Sequence, residues 1–394
     1  MKVLILYDFP LWGNGSATWI RHTVEELVRM NYKIGIVVPE QRRFLEDKIK
    51  QYNAAIPQVP VFVGNPELPG AKRYSELSDR EITDIYKGFL DTTIEAVHNF
   101  EPDIIHAHHM SLISWVARYI NALRGTKYII TSHGSDLIDI RKDKRFFSLT
   151  EGAVRYAKAI TVNSGYTKSH FYKLFGRGYS KVTHLIPGGV DVSAFPAQKN
   201  LEGFDETYGM KDKRVVLFTG RLISHKGVRY LVKAAKDIRG EVFVVGDGPE
   251  RPYLESLVRK IGLSNVHLVG YKTESELLDF YYRASVFVAP SVWDEPLGLT
   301  ILEAMASRTP VVATRKGGIP TLVKHGQNGL LIPARNAGRI AQACNKLLED
   351  EELRKRLGEQ ARKTVEEKFT WKIIAEKTDH LYRQVLRNGK NGKK

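Results

Sequence analysis

The sequence has only one cysteine, Cys344, among its 394 residues. A single thiol excludes an internal disulfide and fits a protein that works in a reducing compartment. No apolar run approaches the roughly 18 residues that a membrane span requires. Signatures of zinc fingers, RNA-recognition domains and helix-turn-helix motifs are also missing, which disfavours nucleic acid as a partner. We therefore expect a cytoplasmic protein, with peripheral contact to a membrane surface as a further option.

Positive charge, by contrast, is in excess. The formal net charge is +16, and the pI is about 9.6. A basic balance favours anionic partners such as nucleotides, phosphates or an anionic membrane. The chain has no Asp-x-Asp pair, the usual bridge between a metal ion and a diphosphate. We therefore expect no cofactor and an anion site that works without a metal.

Short β-branched runs alternate with amphipathic stretches, which is typical of parallel α/β units. The length and the 43% hydrophobic content allow about two domains with separate cores. Helices are predicted at Ser16–Met30 with Ser16 as its cap, at Glu81–Phe100, and at Gly165–Phe175 with Ser164 as its cap. Strands are predicted at Val3–Tyr7, Ile34–Val38, Val61–Val63, Ile104–His106, Tyr128–Ser132, Ala159–Val162, Val182–Ile186, Val215–Thr219, Val242–Val245, Val266–Val269, Val286–Ala289, Val311–Thr314 and Leu330–Ile332.

Loss of periodicity marks the domain boundary. We expect a first domain over residues 1–190, a hinge over 191–212 and a second domain over 213–368. The amphipathic stretch 369–388 is predicted to cross back to the first domain, before a basic tail at 389–394. Two open parallel sheets in tandem predict a cleft between them, at the carboxyl ends of the strands.

A glycine-containing loop follows the first predicted strand. Gly13, Asn14 and Gly15 precede a helix, where small residues let the backbone approach a phosphate. A dinucleotide fingerprint with Glu40 at the end of the second strand is one alternative. Against this alternative, residues 8–12 separate the strand from Gly13. In a dinucleotide fingerprint, the glycine turn follows its strand immediately. An ordinary βα loop is the other alternative.

A second loop, Gly220–Gly227, joins the first strand of the second domain to a helix and carries Arg221 and Lys226. The planar guanidinium matches phosphate oxygens, and the ammonium adds a point charge. Together with a helix N-terminus, these cations can neutralise a departing diphosphate. A solvated basic loop is the alternative interpretation.

Two glutamates, Glu295 and Glu303, bracket a loop and the start of a helix. Glu295 precedes a Pro and a Gly, and Glu303 falls about one turn into the apolar run that follows. Carboxylates accept bonds from hydroxyls, and a helix N-terminus receives phosphate. The stretch therefore suits a sugar nucleotide, although a helix with an acidic first turn explains the spacing equally well.

Histidines end two predicted strands of the first domain: His106, His108 and His109 at one, and His133 at the other. An imidazole at the carboxyl end of a strand can bond a hydroxyl or steady developing charge. His133 is therefore a candidate catalytic residue, or else a histidine satisfied in the core. A metal site that adds Asp136 is a further alternative, but no cysteine joins it and only His106 and His108 share a strand face.

Two stretches, Gln41–Phe44 and Asp139–Phe147, interleave basic and aromatic residues. Such stretches can lie on an anionic membrane, and Arg141–Phe147 would suit a lipid-linked acceptor. The alternative is a solvated face with buried Phe side chains.

The ordered set of motifs resembles that of retaining GT-B glycosyltransferases of family 4, also called glycosyl transferases group 1. The resemblance covers nearly the whole chain. It implies an α/β protein with two Rossmann-like parallel-sheet domains facing across a cleft, with the donor on the second domain and the acceptor on the first. The motifs that carry it are the loop at 3–15, His133-Gly134, Gly220-Arg221 with Lys226-Gly227, Glu295 with Glu303-Ala-Met-Ala306, and Gly317-Gly318.

The resemblance also implies roles for particular residues. Glu295 would bond hydroxyls of the donor sugar with help from backbone N–H groups near Gly298, and Glu303 would hold the ribose hydroxyls. His133 would lie near the reacting sugar. The diphosphate would be bound by the side chains of Arg221 and Lys226 and by the backbone of Leu299, Thr300 and Gly15.

The chain departs from the family pattern at several positions. Asn14 stands where the first of two glycines is frequent, and a left-handed backbone at Asn would preserve the loop. Thr321 replaces a common Glu, which puts a minor loop contact in doubt. Leu297 replaces a frequent Phe, and Ser307-Arg308 replaces a frequent small-Gly pair. None of these changes removes a charged member of the expected site.

The implied activity is metal-independent transfer of a sugar from a UDP-, GDP- or ADP-sugar to a hydroxyl of a sugar, glycan or lipid-linked acceptor, with retention of configuration. Arg221, Lys226 and the helix N-terminus would stabilise the leaving diphosphate. Base recognition is expected near Gly270–Lys272. Three rival functions stay open: a sugar-nucleotide epimerase of the same fold, an NAD dehydrogenase, and a non-catalytic protein that binds glycans or anionic membranes.

Overall fold

The computed structural model describes residues 1–62, 68, 70–196 and 199–387. These residues form two compact units. The first contains Met1–Gly188 together with the chain from Trp371 onward, and the second contains Gly189–Thr370. The chain therefore leaves the first unit once and returns to it.

The first unit is built on a parallel sheet of seven strands. The strands are β1 (Lys2–Tyr7), β2 (Lys33–Val38), β3 (Ile49–Asn53), β4 (Ile104–His108), β5 (Lys127–Ser132), β6 (Ala159–Val162) and β7 (Thr183–Leu185). Their order across the sheet is β3-β2-β1-β4-β5-β6-β7. The helices are α1 (Gly15–Arg29), α2 (Asp79–Phe100), α3 (Leu112–Arg124), α4 (Ser135–Lys142), α5 (Phe147–Tyr156) and α6 (Gly165–Phe175), with α15 (Trp371–Arg387) added at the end of the chain.

The second unit repeats this design with six parallel strands. The strands are β8 (Val215–Thr219), β9 (Glu241–Val245), β10 (Val266–Gly270), β11 (Val286–Ala289), β12 (Val311–Thr314) and β13 (Leu330–Ile332), in the order β10-β9-β8-β11-β12-β13. The helices are α7 (Glu202–Tyr208), α8 (Val228–Ala234), α9 (Arg251–Ile261), α10 (Glu274–Arg283), α11 (Leu299–Ala306), α12 (Ile319–Leu322), α13 (Ala337–Glu349) and α14 (Glu351–Lys368).

The central strands are continuous runs of buried apolar residues, as parallel strands covered on both faces require. This confirms the predicted α/β class with two parallel-sheet domains. Two strand predictions need correction. The segment Ile49–Asn53 is a strand that was not predicted, and Val61 forms only an isolated bridge with Arg73. Val63, the end of the strand predicted there, lies outside the described residues.

The start of α1 also differs from the prediction. The cap is Asn14 rather than Ser16, because the Asn14 side chain accepts the N–H of Ala17 at 2.8 Å. Asn14 has an extended backbone with φ −151°, so the left-handed conformation expected for it is wrong. Ser16 instead donates its hydroxyl to Asn14, and Tyr7 donates to Asn14 as well. The departure from the family glycine therefore supplies a helix cap.

The residues predicted as a hinge, 191–212, belong to the second unit. Phe195, Phe204 and Met210 are buried in its core. Arg362 on α14 donates to the carbonyl of Phe195 at 3.0 Å. Glycine and proline interrupt the periodicity of this stretch, but its large apolar side chains pack into the core of the second unit.

The last helix, α15, packs on the first unit along α1. Trp371 at its start stacks on His22 with ring centroids 5.0 Å apart. Tyr382 lies fully buried, and its hydroxyl is 2.7 Å from Nδ1 of His106 on β4. The same imidazole contacts the hydroxyl of Thr131 at 2.6 Å through Nε2. His106 therefore ties the final helix to the middle of the sheet.

Candidate functional site

Chain order reverses between β1 and β4 in the first sheet and between β8 and β11 in the second. Ligands of open α/β sheets bind at such points, beyond the carboxyl ends of the two strands. In the second unit the loops that leave this point are residues 220–227 after β8 and 290–298 after β11. These loops carry four of the predicted site residues: Arg221, Lys226, Glu295 and Gly298.

An ion pair joins the two loops. Nζ of Lys226 lies 2.7 Å from Oε1 of Glu295, and the hydroxyl of Ser291 donates to the same oxygen at 2.7 Å. Burial alone would raise the pKa of Glu295. Attraction to Lys226 and the two hydrogen bonds outweigh burial, so the pKa lies below its ordinary value. Glu295 is therefore held as a carboxylate.

Backbone contacts keep the loops in register. Gly227 has φ 69°, and a Cβ at that position would lie 2.2 Å from the carbonyl oxygen of Pro290. The N–H of Val292 donates to the carbonyl of His225 at 3.0 Å. The imidazole of His225 stacks on Trp293 with centroids 4.5 Å apart. Only glycine allows an approach this close, which explains the residue that follows Lys226.

The Gly317-Gly318 turn supports Glu295 from the other side. The N–H of Gly318 donates to the carbonyl of Glu295 at 2.6 Å, and the N–H of Gly317 donates to Oδ1 of Asp294 at 3.0 Å. Nζ of Lys316 lies 2.8 Å from the same Asp294 oxygen. The small residues of this turn make room for the backbone of the Glu295 loop.

Helix α11 begins next to Glu295. Gly298 precedes it with φ 103°, and Leu299 and Thr300 form its first turn. Glu303 lies further along, where Oε2 accepts the hydroxyl of Tyr281 at 2.5 Å. Burial raises the pKa of Glu303 above its usual value, and the bond from Tyr281 opposes this only in part. The two glutamates of the motif therefore have opposite electrostatic environments.

A small cavity of about 20 Å³ lies among these groups. Four of the predicted residues line it together: Lys226, Glu295, Gly298 and Thr300. Arg221 lies earlier on the Lys226 loop, directly after Gly220, which adopts φ 141°. The second unit thus brings its predicted site residues to one edge of the sheet, where cations, carboxylates and a helix N-terminus meet.

The first unit places a different chemistry at its own reversal point. Asp8, at the end of β1, is fully buried and has three partners. They are Nδ1 of His109 at 2.7 Å, the hydroxyl of Tyr74 at 2.6 Å and the hydroxyl of Ser111 at 2.5 Å. His109 adopts φ 85°, a strained backbone for a residue with a side chain. The network pins the loop after β4 to the end of β1.

His133 lies at the end of β5 and is 9% exposed. Its Nε2 is 3.1 Å from Nδ1 of His108, and its carbonyl accepts the amide of Asn163 at 3.0 Å. Burial, followed by repulsion from His109 and His106, holds the pKa of His133 well below its usual range. The ring is therefore neutral near pH 7, so it can donate or accept a hydrogen bond with a ligand while it stays uncharged.

Asp136 positions the His133 turn. Its Oδ1 accepts the N–H of Gly134 at 2.8 Å and the hydroxyl of Ser132 at 2.9 Å. Its Oδ2 accepts the N–H of Met110 at 2.9 Å. The carboxylate thus holds the ends of β4 and β5 together.

Gly15, the predicted phosphate contact of the first unit, is the first residue of α1. Its N–H belongs to the opening turn of the helix, where amides have no partner within the helix. Gly15 and His133 belong to the first unit, whereas the other predicted site residues belong to the second.

The basic-aromatic stretch after Asp139 is largely engaged in packing. Phe146 is buried, and Phe147 stacks on Phe175 with centroids 5.6 Å apart. Arg145 pairs with Asp143 at 2.7 Å and with Asp79 at 2.9 Å. This arrangement favours the alternative of a solvated face with buried Phe side chains.

In the part of the chain that the structure describes, no helix is both long and apolar enough to cross a bilayer. Over the same residues, no three side chains among His, Cys, Asp and Glu are grouped so that they could share a metal ion. The histidine ends of β4 and β5 are instead bonded to each other and to Asp8, Tyr382 and Thr131.

Comparison with known proteins places this geometry in a family. The family model described as Glycosyltransferase Family 4 matches residues 13–194, and the one described as Glycosyl transferases group 1 matches residues 202–364. An uncharacterized glycosyltransferase of Methanocaldococcus jannaschii is 31% identical over 286 residues, which is 72% of this chain and 76% of the relative. The chain therefore belongs to the family 4 glycosyltransferases.

Solved structures agree on the fold. Sucrose-phosphate synthase from Thermosynechococcus elongatus matches with a TM-score of 0.80 and 22% identity, over 98% of this chain and 99% of that one. The HepE protein of Anabaena, solved in complex with UDP and glucose, matches with a TM-score of 0.78 and 18% identity, over 98% and 100%. The two parallel sheets are thus those of the GT-B fold, and the predicted family is confirmed.

Sequence reasoning missed several residues that shape the site. Ser291 and Tyr281 bond the two glutamates, and the stack of His225 on Trp293 fixes the Lys226 loop. In the first unit the Asp8 network was not anticipated. Asp8 directly follows a predicted strand, a position that often indicates a site residue in parallel sheets. Tyr281 stands 22 residues before Glu303, and no local sequence pattern predicts their contact.

Substitution at Gly317 tests whether the turn supports the Glu295 loop. A Cβ on Gly317 would lie 2.3 Å from the carbonyl oxygen of Glu295, whereas Gly326 has open space around it. Both residues have positive φ, 52° and 76°. Gly326→Ala is expected to cost about 1 kcal/mol from backbone strain alone. Gly317→Ala should cost clearly more in calorimetric unfolding, and equal losses for the two variants would contradict the close-contact argument.

Acid should destabilise the first unit through its histidines. Burial lowers the pKa of His106 to about 3 and holds those of His108 and His133 well below their usual range. Because the folded pKa values lie below the unfolded value of about 6.5, the unfolded chain binds more protons in acid. Their contribution to stability is complete above about pH 6.5 and is lost as the pH falls, by about 1 kcal/mol per pH unit for each histidine.

Tryptophan fluorescence in denaturant can measure this effect, since Trp12, Trp19, Trp115 and Trp371 all lie in the first unit. His108→Gln should flatten the dependence of the unfolding free energy on pH between 6.5 and 5. The exposed His98, changed to Gln, serves as the control and should leave it unaltered. An unchanged slope in His108→Gln would contradict the assignment.

Proposed function

We propose that this glycosyltransferase moves a sugar from a nucleotide-diphosphate sugar to an acceptor hydroxyl, with retention of the anomeric configuration and without a metal ion. The observation that carries the proposal is the edge of the second sheet, where Lys226, Glu295 and the start of α11 meet. Cations and a helix N-terminus suit a diphosphate, and flanking carboxylates suit hydroxyls on either side of it.

The Lys226–Glu295 pair implies that a bound diphosphate competes with Glu295 for the Lys226 ammonium group. Lys226 is occupied by Glu295 in this structure, with Nζ 2.7 Å from Oε1. A diphosphate must therefore draw Lys226 towards itself, and the carboxylate then gains acceptor capacity for sugar hydroxyls. Ser291 remains bonded to Glu295 and keeps it in place. Glu295 acts as a hydroxyl acceptor, since its lowered pKa makes it a poor proton donor.

Glu303 has the complementary role at the ribose end. Tyr281 occupies Oε2, which leaves Oε1 for the ribose hydroxyls. Arg221 and the backbone at Leu299 and Thr300 would complete the diphosphate contacts of the second unit. The leaving diphosphate gains charge as the sugar becomes cationic, and fixed positive groups stabilise that change most where water is scarce.

His133 is assigned to the reacting sugar as a neutral hydrogen-bonding partner. Its lowered pKa removes it as a cation that could stabilise the diphosphate. It can accept a hydrogen bond from a hydroxyl or donate one to it, depending on the tautomer that His108 imposes.

The donor's base and the acceptor belong to the same proposal. HepE was solved with UDP, and the donor proposed here is a UDP-, GDP- or ADP-sugar. The backbone near Gly270, where β10 ends, is the proposed contact for the base. The acceptor is a hydroxyl of a sugar, glycan or lipid-linked molecule. Contact with an anionic membrane through Arg141–Phe147 stays a prediction.

Matched variants test the donor site. Lys226→Ala and Glu303→Gln should each weaken sugar-nucleotide binding by about tenfold to a hundredfold, because each removes a charge-assisted hydrogen bond. Isothermal titration with UDP-, GDP- and ADP-sugars measures the affinities. Lys233→Ala and Glu206→Gln are the controls, since both side chains are exposed on the same unit. Normal donor binding by Lys226→Ala or Glu303→Gln would show that the site is assigned wrongly.

Product analysis tests the reaction itself. We expect transfer to an added acceptor to proceed equally with and without a chelator, and nuclear magnetic resonance of the product to give the anomeric configuration of the donor. A requirement for a divalent ion would refute metal independence, and an inverted product would refute retention. Conversion of the donor to its epimer in the absence of acceptor would favour the rival epimerase.

A further inference from the structure

A basic pocket on the first unit has no part in the proposed reaction. Its volume is about 560 Å³, and it lies between α6 and the segment that leads to β7. Lys168, Lys173 and Arg177 line it, and no Asp or Glu does. An uncompensated group of three cations around one concave surface attracts anions.

The local sequence explains the missing counter-charge. Between Glu151 and Asp191 the chain contains no acidic residue, while six Lys or Arg side chains fall in the interval. Among the described residues, Lys168, Lys173 and Arg177 enter no ion pair with a carboxylate, in contrast to Arg145 on the same unit. The cations of the pocket are therefore available to a ligand.

One wall of the pocket is a face of α6. Gly165, Lys168, Ser169 and Tyr172 follow the three- and four-residue spacing of one face of α6. From Gly165 to Lys173 this wall is about 12 Å long at the rise of an α-helix. It exceeds the size of a single phosphate, and the ring of Tyr172 adds an apolar surface beneath Nζ of Lys168, 5.8 Å from the ring centroid.

Hydrogen-bond donors accompany the charges. Two hydroxyl-bearing residues, Ser169 and Ser180, also line the pocket. Gly165 is the first residue of α6, and nothing lies within 4 Å of the position that a Cβ would occupy there. An anion can therefore approach the opening turn of the helix, which adds its dipole to the cations. The positive potential reaches the sheet edge, where His184 on β7 has a lowered pKa, first from burial and then from repulsion by Lys168.

We propose that this pocket binds a phosphorylated molecule of roughly sugar-phosphate or headgroup size, through Lys168, Lys173 and Arg177. The phosphate would lie among the three cations, and the rest of the molecule would cover Tyr172. The site goes beyond the donor site, because all its residues belong to the first unit. Phosphate on a soluble molecule and phosphate on a lipid headgroup share this chemistry.

Hydrogen–deuterium exchange with pyrophosphate as the probe tests the site on the whole chain. Pyrophosphate should slow exchange over residues 165–182, in addition to any effect at 220–227. The variant Lys168→Gln/Lys173→Gln/Arg177→Gln should weaken the protection of 165–182 by about tenfold or more in pyrophosphate concentration, since three charged contacts are lost. Protection at 220–227 should persist, which separates failure of this pocket from failure of the donor site.

The control is Lys33→Gln/Lys50→Gln/Lys87→Gln, which removes the same charge from exposed lysines elsewhere on the first unit. A second arm uses co-sedimentation with phosphatidylcholine vesicles, with and without phosphatidic acid. Pyrophosphate protection alone indicates a soluble ligand, and binding to phosphatidic acid that the pocket variant loses indicates a headgroup. Absence of both effects in the unaltered protein overturns the proposal, as does an equal loss in the control or none in the pocket variant.

Discussion

The ion pair between Lys226 and Glu295 is the interaction around which the second unit's site is arranged. It joins the loops that leave β8 and β11, at the point where the order of the strands reverses. Such a pair tolerates partial burial only when both members are fixed, because an unpaired buried charge is costly. Gly227 against Pro290 and Gly317 against Glu295 provide that fixation by bringing backbones closer than any side chain would allow. The glycines of the motifs are thus required to hold Lys226 and Glu295 in the positions where they pair.

The two units use the same topological position for different chemistry. In the second unit, partly exposed cations and carboxylates surround the start of α11. In the first, imidazoles and the carboxylate of Asp8 are buried and bonded to one another, and burial keeps His108 and His133 uncharged. A charged edge suits a diphosphate. A neutral polar edge suits hydroxyl groups, whose binding requires orientation more than charge. This division follows the donor and acceptor roles that the family resemblance implies.

Much of the fold followed from the sequence, because parallel strands covered on both faces are continuous apolar runs such as Val286–Ala289. The edge strand Ile49–Asn53 was not predicted, because its residues are mostly polar and only partly buried. The burial of Phe195 and Phe204 in the second unit's core was also missed, because these residues lie in a stretch without periodicity. Among the site residues, Lys226, Glu295 and Thr300 could be found as motifs. Their partners could not, since the contact of Tyr281 with Glu303 depends on how α10 packs, which no local pattern encodes.

The cations of the chain fall into two kinds: those paired with carboxylates and those without an acidic neighbour. Lys226 and Arg145 are paired with carboxylates, so their charge is largely cancelled until a ligand competes for it. Lys168, Lys173 and Arg177 line a wall without acids, so their field extends into solvent. Recognition at the first kind of site is selective, because a ligand must replace a well-placed partner in a confined space. Recognition at the second kind depends mainly on the ligand's charge and is more sensitive to salt, since exposed charges are screened more strongly than confined ones. A net charge of +16 therefore describes the tendency of the chain to meet anions, whereas the arrangement of carboxylates around each cation decides which anions stay bound.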